Sequence, residues 1–291
     1  MADTIDTPRV VLNARARLGE GPCWDAVAQR LYWVDIYNHR VHEFDPATGS
    51  DRHVDVGDVV SCLAPAGRGR LVLGLRHHVA SLDLATGTVT RMAEFERRAH
   101  IRCNDGKCDA RGRFWFGTMS TEGPEASLYR YDPDGALQVM ETGLTTSNGL
   151  GWSPDGGTFY LTDSPARIIY AYDFEPAGGS IRNRRVLVDV RGEAFVPDGL
   201  AIDREGCLWS AMWDGWCVIR FDATGRELQR VPMPVQRPTC GAFGGPDLTT
   251  LYITSAAVGL SQQEIERSFH AGDVFALDAP VTGLPANRWS S

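Results

Sequence analysis

GTFYLTD, Gly157 to Asp163, is a turn followed by a short apolar and aromatic run, and the same pattern returns five more times along the chain. The other copies are QRLYWVD (Gln29 to Asp35), GRLVLG (Gly69 to Gly74), GRFWFGT (Gly112 to Thr118), GCLWSA (Gly206 to Ala211) and TLYITS (Thr250 to Ser255). Their matching core positions are Leu31, Leu71, Phe114, Phe159, Leu208 and Leu251, so the steps are 40, 43, 45, 49 and 43 residues. Each copy is followed by a second alternating run that ends in an acidic turn, such as VHEFDPATG (Val41 to Gly49), LYRYDPDG (Leu128 to Gly135) or VIRFDATG (Val218 to Gly225). Alternation of apolar and polar residues is the mark of half-buried strands, and Asp with Pro, Thr and Gly makes the reversal between them.

A third run follows in five copies, as in VTRMAEF (Val89 to Phe95), and a strand precedes each turn. Four antiparallel strands per period of about 40–50 residues predict β-propeller blades. Six copies predict an all-β, six-bladed β-propeller spanning residues 1–291 as one domain, with residues 1–8 as a flexible lead. The sixth copy stops after its third strand near Asp278, while RVVLNA (Arg9 to Ala14) is a spare strand ahead of the first. The spare strand is expected to complete the last blade and close the ring, which removes a free sheet edge.

Composition agrees. The 291 residues are 43% apolar with 31 Gly and 16 Pro, enough for a substantial core cut by many turns. The 29 basic and 37 acidic residues give a net charge of −8, which offers no general attraction to phosphate backbones or anionic lipid. Neither nucleic acid nor membrane is expected as a partner. No apolar run is long enough to span a bilayer and MADTIDTPRV (Met1 to Val10) is no secretory signal, so a cytoplasmic protein is expected. Seven scattered cysteines without C-x-x-C spacing read as reduced, buried thiols.

The first strand of each blade should line the central channel, so residues at its start converge on the axis. Glu20 lies 11 before Leu31, Asn104 10 before Phe114, Asn148 11 before Phe159, and Asp198 10 before Leu208. Four blades thus place Glu, Asn, Asn and Asp at one level, while Ser61 and Cys240 stand there in blades two and six. Asx-Gly pairs are also turn formers, but their recurrence in phase favours a site over four unrelated turns. Two carboxylates and amide oxygens suit a hard divalent cation, Ca²⁺, Mg²⁺ or Mn²⁺, with Zn²⁺ and Fe²⁺ less favoured.

The stretches RLGEGPCW (Arg17 to Trp24), RCNDGKCDARGRFWFGTM (Arg102 to Met119), TSNGLGWSPDGGTFYLTDS (Thr146 to Ser164), PDGLAIDREGCLW (Pro197 to Trp209) and CGAFGGPDLTTLYIT (Cys240 to Thr254) are long and ordered. Through them the chain resembles the SMP-30/gluconolactonase (regucalcin-like) family over essentially its whole length. The resemblance implies Glu20, Asn148 and Asp198 as ligands of one divalent metal. It implies Arg102, Asn104 and Glu122 as substrate contacts, with Asn104 also near the metal and Asp198 as the general base. Glu122 lies in STEGPEA (Ser120 to Ala126), where Glu125 is the alternative.

The implied reaction is hydrolysis of a sugar lactone, an aldonolactone such as gluconolactone or a pentonolactone, by a monomer or weak homo-oligomer. A calcium-binding propeller without turnover and an organophosphate or aryl-ester hydrolase are the alternatives. Loops joining second to third strands should frame the mouth, among them DIYNHR (Asp35 to Arg40), WDGW (Trp213 to Trp216) and the long AAVGLSQQEIERSFHAG (Ala256 to Gly272), with a helical turn in QQEIERSF. Tyr37, Trp213 and Trp216 there either face a sugar or pack between blades. His77 and His78, adjacent in sequence, read as structural, as do Asp132 and Asp134 in a turn and RNRR (Arg182 to Arg185) on a solvated edge.

Overall fold

A computed structural model describes residues 7–67 and 69–290. It contains six four-stranded antiparallel sheets, each a blade of a propeller. The inner strands are Gly19–Asp25, Val60–Gly67, Ile101–Cys108, Ser147–Trp152, Val196–Ile202 and Pro238–Gly244, numbered blades one to six. Burial falls from the axis outward: every residue of Gly19–Asp25 is buried, whereas the outer strand of that blade, Ser50–Asp55, is mostly exposed. The repeat therefore reads out radial position. The aromatic second strands carry the largest side chains, and Trp33, Trp115 and Trp209 are fully buried.

The spare N-terminal strand forms as Arg9–Leu12 and pairs antiparallel with Val274–Asp278, Arg9 opposite Ala276 and Val10 opposite Phe275. It is the outer strand of blade six, so the ring is closed by the two ends of the chain. Residues 1–6 of the expected lead lie outside the described residues, and Pro8 is already buried. QQEIER (Gln262–Arg267) is a short helix whose Ser261 and Glu264 cap each other reciprocally. All seven cysteines are free and buried, with the Cys62 and Cys103 Sγ atoms 3.7 Å apart on neighbouring inner strands. No helix among the described residues is long and apolar enough to cross a membrane.

The segment after the last strand has no counterpart in the repeat. Arg204 donates its N–H to the Thr282 carbonyl at 2.9 Å beside blade five, and Gly283 donates to Leu248 in blade six at 2.8 Å. Further on, Asn287 Nδ2 donates to the Cys108 carbonyl, Arg288 pairs with Asp25 at 2.7 Å, and Trp289 donates its N–H to Pro65 at 2.7 Å. Trp289 is buried and stacks on Tyr131 at 5.2 Å. The tail is thus a strap that crosses the face at which the inner strands end, tying blades five and six to one, two and three.

Candidate active site

The first residues of the inner strands meet at the opposite end of the channel. All six inner strands carry a register shift near this end, one extra residue against the neighbouring strand: between Glu20 and Cys23, Val60 and Cys62, Cys103 and Gly106, Asn148 and Leu150, Pro197 and Leu200, and Pro238 and Gly241. A bulge bends its strand and re-aims a side chain. Bulges therefore turn Glu20, Asn104, Asn148 and Asp198 out of the ordinary in-and-out alternation at one level. Two glycines let the strands come close enough. A Cβ on Gly149 would lie 2.5 Å from the Asp198 carbonyl, and one on Gly199 would collide with the Cys240 side chain.

Glu20, Asn148 and Asp198 are all buried, at 7%, 6% and 4% exposure. Asn148 Nδ2 donates to Asp198 Oδ1 and, at 3.1 Å, to Ser164 Oγ. That leaves the amide oxygen of Asn148 facing only the Gly149 N–H, at 3.2 Å. Burial, then the charges of Asp198 and Asp105, push the Glu20 carboxyl well above its usual range. Burial and Asp105 do the same to Asp198, against the opposing hydrogen bond from Asn148. Arg102 offsets only part of this in each case.

Two buried carboxylates whose charges are this poorly compensated, flanked by amide oxygens, fit a hard divalent cation: the ion would neutralise both and take oxygen donors. Asp203, Glu205 and Cys207 also place three donor atoms within 4.8 Å of one another. Asp203, however, already accepts the N–H groups of Glu205 and Cys207, the Trp209 indole at 3.0 Å and the Arg220 guanidinium at 2.9 Å. It is a structural clamp, repeated in blade three by Asp109 with Arg113 and Trp115.

Arg102 is half-buried beside the carboxylates. Its Nη1 donates to the Cys103 carbonyl at 2.7 Å, to Asn104 Oδ1 at 3.1 Å and to Ser61 Oγ at 3.4 Å. These bonds fix the guanidinium through one nitrogen. The Tyr37 ring, 5.8 Å from Arg102 Cζ, supports its face, and Arg17 lies 5.5 Å from the same ring. Asn104 Nδ2 donates to the Ser147 carbonyl at 3.1 Å, linking blades three and four.

Glu122 stands on the exposed loop above, 3.6 Å from His100. Glu125 is held by Arg98 at 2.9 Å and by His100 at 3.1 Å, which leaves Glu122 the less constrained of the two. Trp213 is covered by the Arg237 guanidinium at 4.7 Å, and Trp213 and Tyr37, both half-buried, each pack against the apolar core of blades one and two; Trp216 is 36% exposed.

Three residues near the axis escaped the sequence pattern. Ser61, which stands at the same level in blade two, accepts from Arg102 at 3.4 Å. Asp105 and Lys107 follow Asn104 in CNDGK without standing out by type or spacing; Asp105 is 3% exposed and Lys107 reaches across the channel to the Leu200 carbonyl. Only the Asx-Gly motif shared with the other blades hinted at them. His77 bonds the Ile101 carbonyl at 2.9 Å, Asp132 and Asp134 shape a turn, and Arg184 and Arg185 pair with Glu141 and Asp173 on an exposed strand.

Fold and site together define a six-bladed propeller with an acidic, oxygen-rich donor set at one end of its axis and a cation beside it. The model of the SMP-30/Gluconolactonase/LRE-like region matches residues 18–257, and the chain belongs to that family. It is 35% identical to a pentonolactonase of Haloferax volcanii over 96% of each chain, and 38% identical to the regucalcin of Gallus gallus over 93% of this chain and 94% of that one. Its fold is similar to the crystal structure of a calcium-binding protein, regucalcin, from Agrobacterium tumefaciens, with TM-score 0.94 and 27% identity over 99% of this chain and 98% of the other.

Proposed function

We propose that the protein hydrolyses a sugar lactone to the corresponding aldonic acid at the axial site, with a divalent metal held by Glu20, Asn148 and Asp198. The observation that carries this reading is the convergence of two uncompensated, buried carboxylates and an amide beside the fixed guanidinium of Arg102. The pentonolactonase relative, similar over nearly its whole length, supports a lactone as substrate. A divalent cation, when bound, supplies Lewis acidity toward a carbonyl.

The side chains account for the remaining steps. Water adds to the lactone carbonyl carbon while an oxygen of the Asp198 carboxylate takes its proton. The bond from that carbon to the ring oxygen then breaks, and the ring oxygen receives the proton and leaves as a hydroxyl. Water is consumed and one carboxylic acid is formed. Arg102 presents its remaining N–H groups to substrate oxygens, and Asn104 and Glu122 read sugar hydroxyls. A site built to bond hydroxyls rejects analogues that lack them, because its own polar groups are then left unpaired.

The test is acid release from a panel of hexonolactones and pentonolactones after chelation and re-addition of single metals, with spontaneous opening subtracted. At least one lactone should open well above background with one of these metals. Asp198→Ala should lower the rate by roughly 10²–10⁴-fold, the range of a positioned acid or base. Metal binding without turnover of any lactone would replace this reading with that of a calcium-binding propeller.

A further inference from the structure

Two guanidiniums share one aromatic ring at the mouth of the axial site. The Cζ of Arg17 lies 5.5 Å from the centre of the Tyr37 ring, and that of Arg102 lies 5.8 Å from it. Arg102 is half-buried beside the carboxylates, whereas Arg17 is exposed. Arg102 spends one nitrogen on Cys103, Asn104 and Ser61. The Arg17 guanidinium has no hydrogen-bond or carboxylate partner among the described residues, although its main chain is fixed. The Arg17 N–H donates to Asp35 Oδ2 at 3.1 Å, and its carbonyl accepts from Ala257 at 3.1 Å and Val258 at 2.8 Å. Other arginines of the mouth loops are neutralised: Arg237 by Asp214 at 2.6 Å, and Arg98 by Glu125 at 2.9 Å.

We propose that Arg17 selects the substrate: the lactone opened at the axial site carries an oxyanion, a carboxylate or a phosphate, at the end remote from its carbonyl, and Arg17 binds that group. This rests on the lactonase reading above. The carbonyl belongs at the Glu20, Asn148 and Asp198 donors, with Arg102 beside them, so the far end of the sugar extends past Tyr37 toward Arg17. A neutral sugar leaves two like charges on one ring with no anion between them. An oxyanion offsets that repulsion and takes two parallel N–H groups from the Arg17 fork.

The test compares kcat/KM of the metal-loaded protein on three lactones. D-glucaro-1,4-lactone ends in a carboxylate, D-glucono-1,4-lactone has the same ring and ends in a hydroxymethyl group, and 6-phosphogluconolactone ends in a phosphate. At least one anionic lactone should exceed the neutral one by about fivefold or more, the upper end for an exposed ion pair; which of the two does so identifies the oxyanion. The preference should lie in KM and shrink as ionic strength is raised. Arg17→Gln should bring the anionic-to-neutral ratio close to one, and Arg17→Lys, which keeps the charge without the fork, should restore part of it. Neither substitution removes a hydrogen bond of the fold, since Arg17 is held through its main chain. Opening of D-glucono-1,4-lactone with no preference for either anionic lactone, or with a preference that Arg17→Gln leaves intact, would overturn the proposal and leave the lactonase reading standing. If no lactone opens above background with any metal, both fall together.

Discussion

Glu20 is a carboxylic acid in a place that disfavours its charge. Burial and the neighbouring acids Asp198 and Asp105 raise its pKa in the folded protein above that of the unfolded chain, and Asp198 is raised in the same direction. The folded state therefore holds these protons more tightly than the unfolded state. Their stabilising contribution is present at low pH and is lost as pH rises from the ordinary carboxylate pKa through the raised folded values. Metal-free protein should melt at a higher temperature as pH is lowered from 8 toward 5. Glu20→Gln should stabilise the chelated protein at pH 8, because it removes a carboxyl whose charged form the fold disfavours, and should flatten the pH slope. Added metal at about 100 times its Kd should stabilise wild type by roughly 2.7 kcal/mol and Glu20→Gln far less. Calorimetric melts across pH, with and without metal, check all three. A chelated Glu20→Gln less stable than wild type at pH 8 would show that the charge of Glu20 is compensated.

The strands show how much of the site the sequence disclosed. Their number, order and inward faces follow from alternation and the six-fold return of one pattern, because the packing that buries Leu31, Phe114 and Leu208 is the same in every blade. Glu20, Asn148 and Asp198 stood out because they fall in phase with those core positions. The bulges that aim them depend on pairing with the next strand, which no local pattern encodes. Asp105 and Lys107 were hidden for the same reason: Asp105 lies inside the bulge between Cys103 and Gly106 and Lys107 just past it, where neither alternation nor turn chemistry says which side faces the axis. The strap has no repeat to betray it either. Its anchor is Trp289, stacked on Tyr131 and buried at the end of an otherwise irregular segment. Trp289→Ala should cost about 2–4 kcal/mol, near the lower part of the range for removing a buried Trp, because a terminal segment can detach instead of leaving a cavity. Thermal melts measure that loss, and proteolysis should then cut within residues 283–290 while sparing the blades. An unchanged melting temperature would mean that the strap contributes nothing to the fold.

At the scale of the whole molecule, each blade packs on its neighbours and the last must meet the first. The chain achieves this by splitting blade six, with Pro238–Gly244, Thr250–Ser255 and Val274–Asp278 from one end and Arg9–Leu12 from the other. Closure was legible because a strand was missing at one terminus and spare at the other. Its energetic consequence follows from edges: without Arg9–Leu12, Val274–Asp278 exposes a row of unpaired backbone groups and becomes a template for other chains. Removing residues 1–14 should therefore do two things. Half-buried Val10, Val11 and Leu12 lose their contacts, at a cost of about 2–4 kcal/mol on the scale of apolar burial, so the melting temperature should fall by several degrees. The truncated protein should also associate as its concentration rises, which light scattering detects. A synthetic peptide of sequence TPRVVLNA (Thr7 to Ala14), added in excess, should occupy the vacant edge and reverse both effects, whereas the same composition in scrambled order should not. If the scrambled peptide works equally well, the strand acts by general apolar contact and its register with Val274–Asp278 does not matter. If neither the melting temperature nor the association changes on truncation, the ring holds without its closing strand.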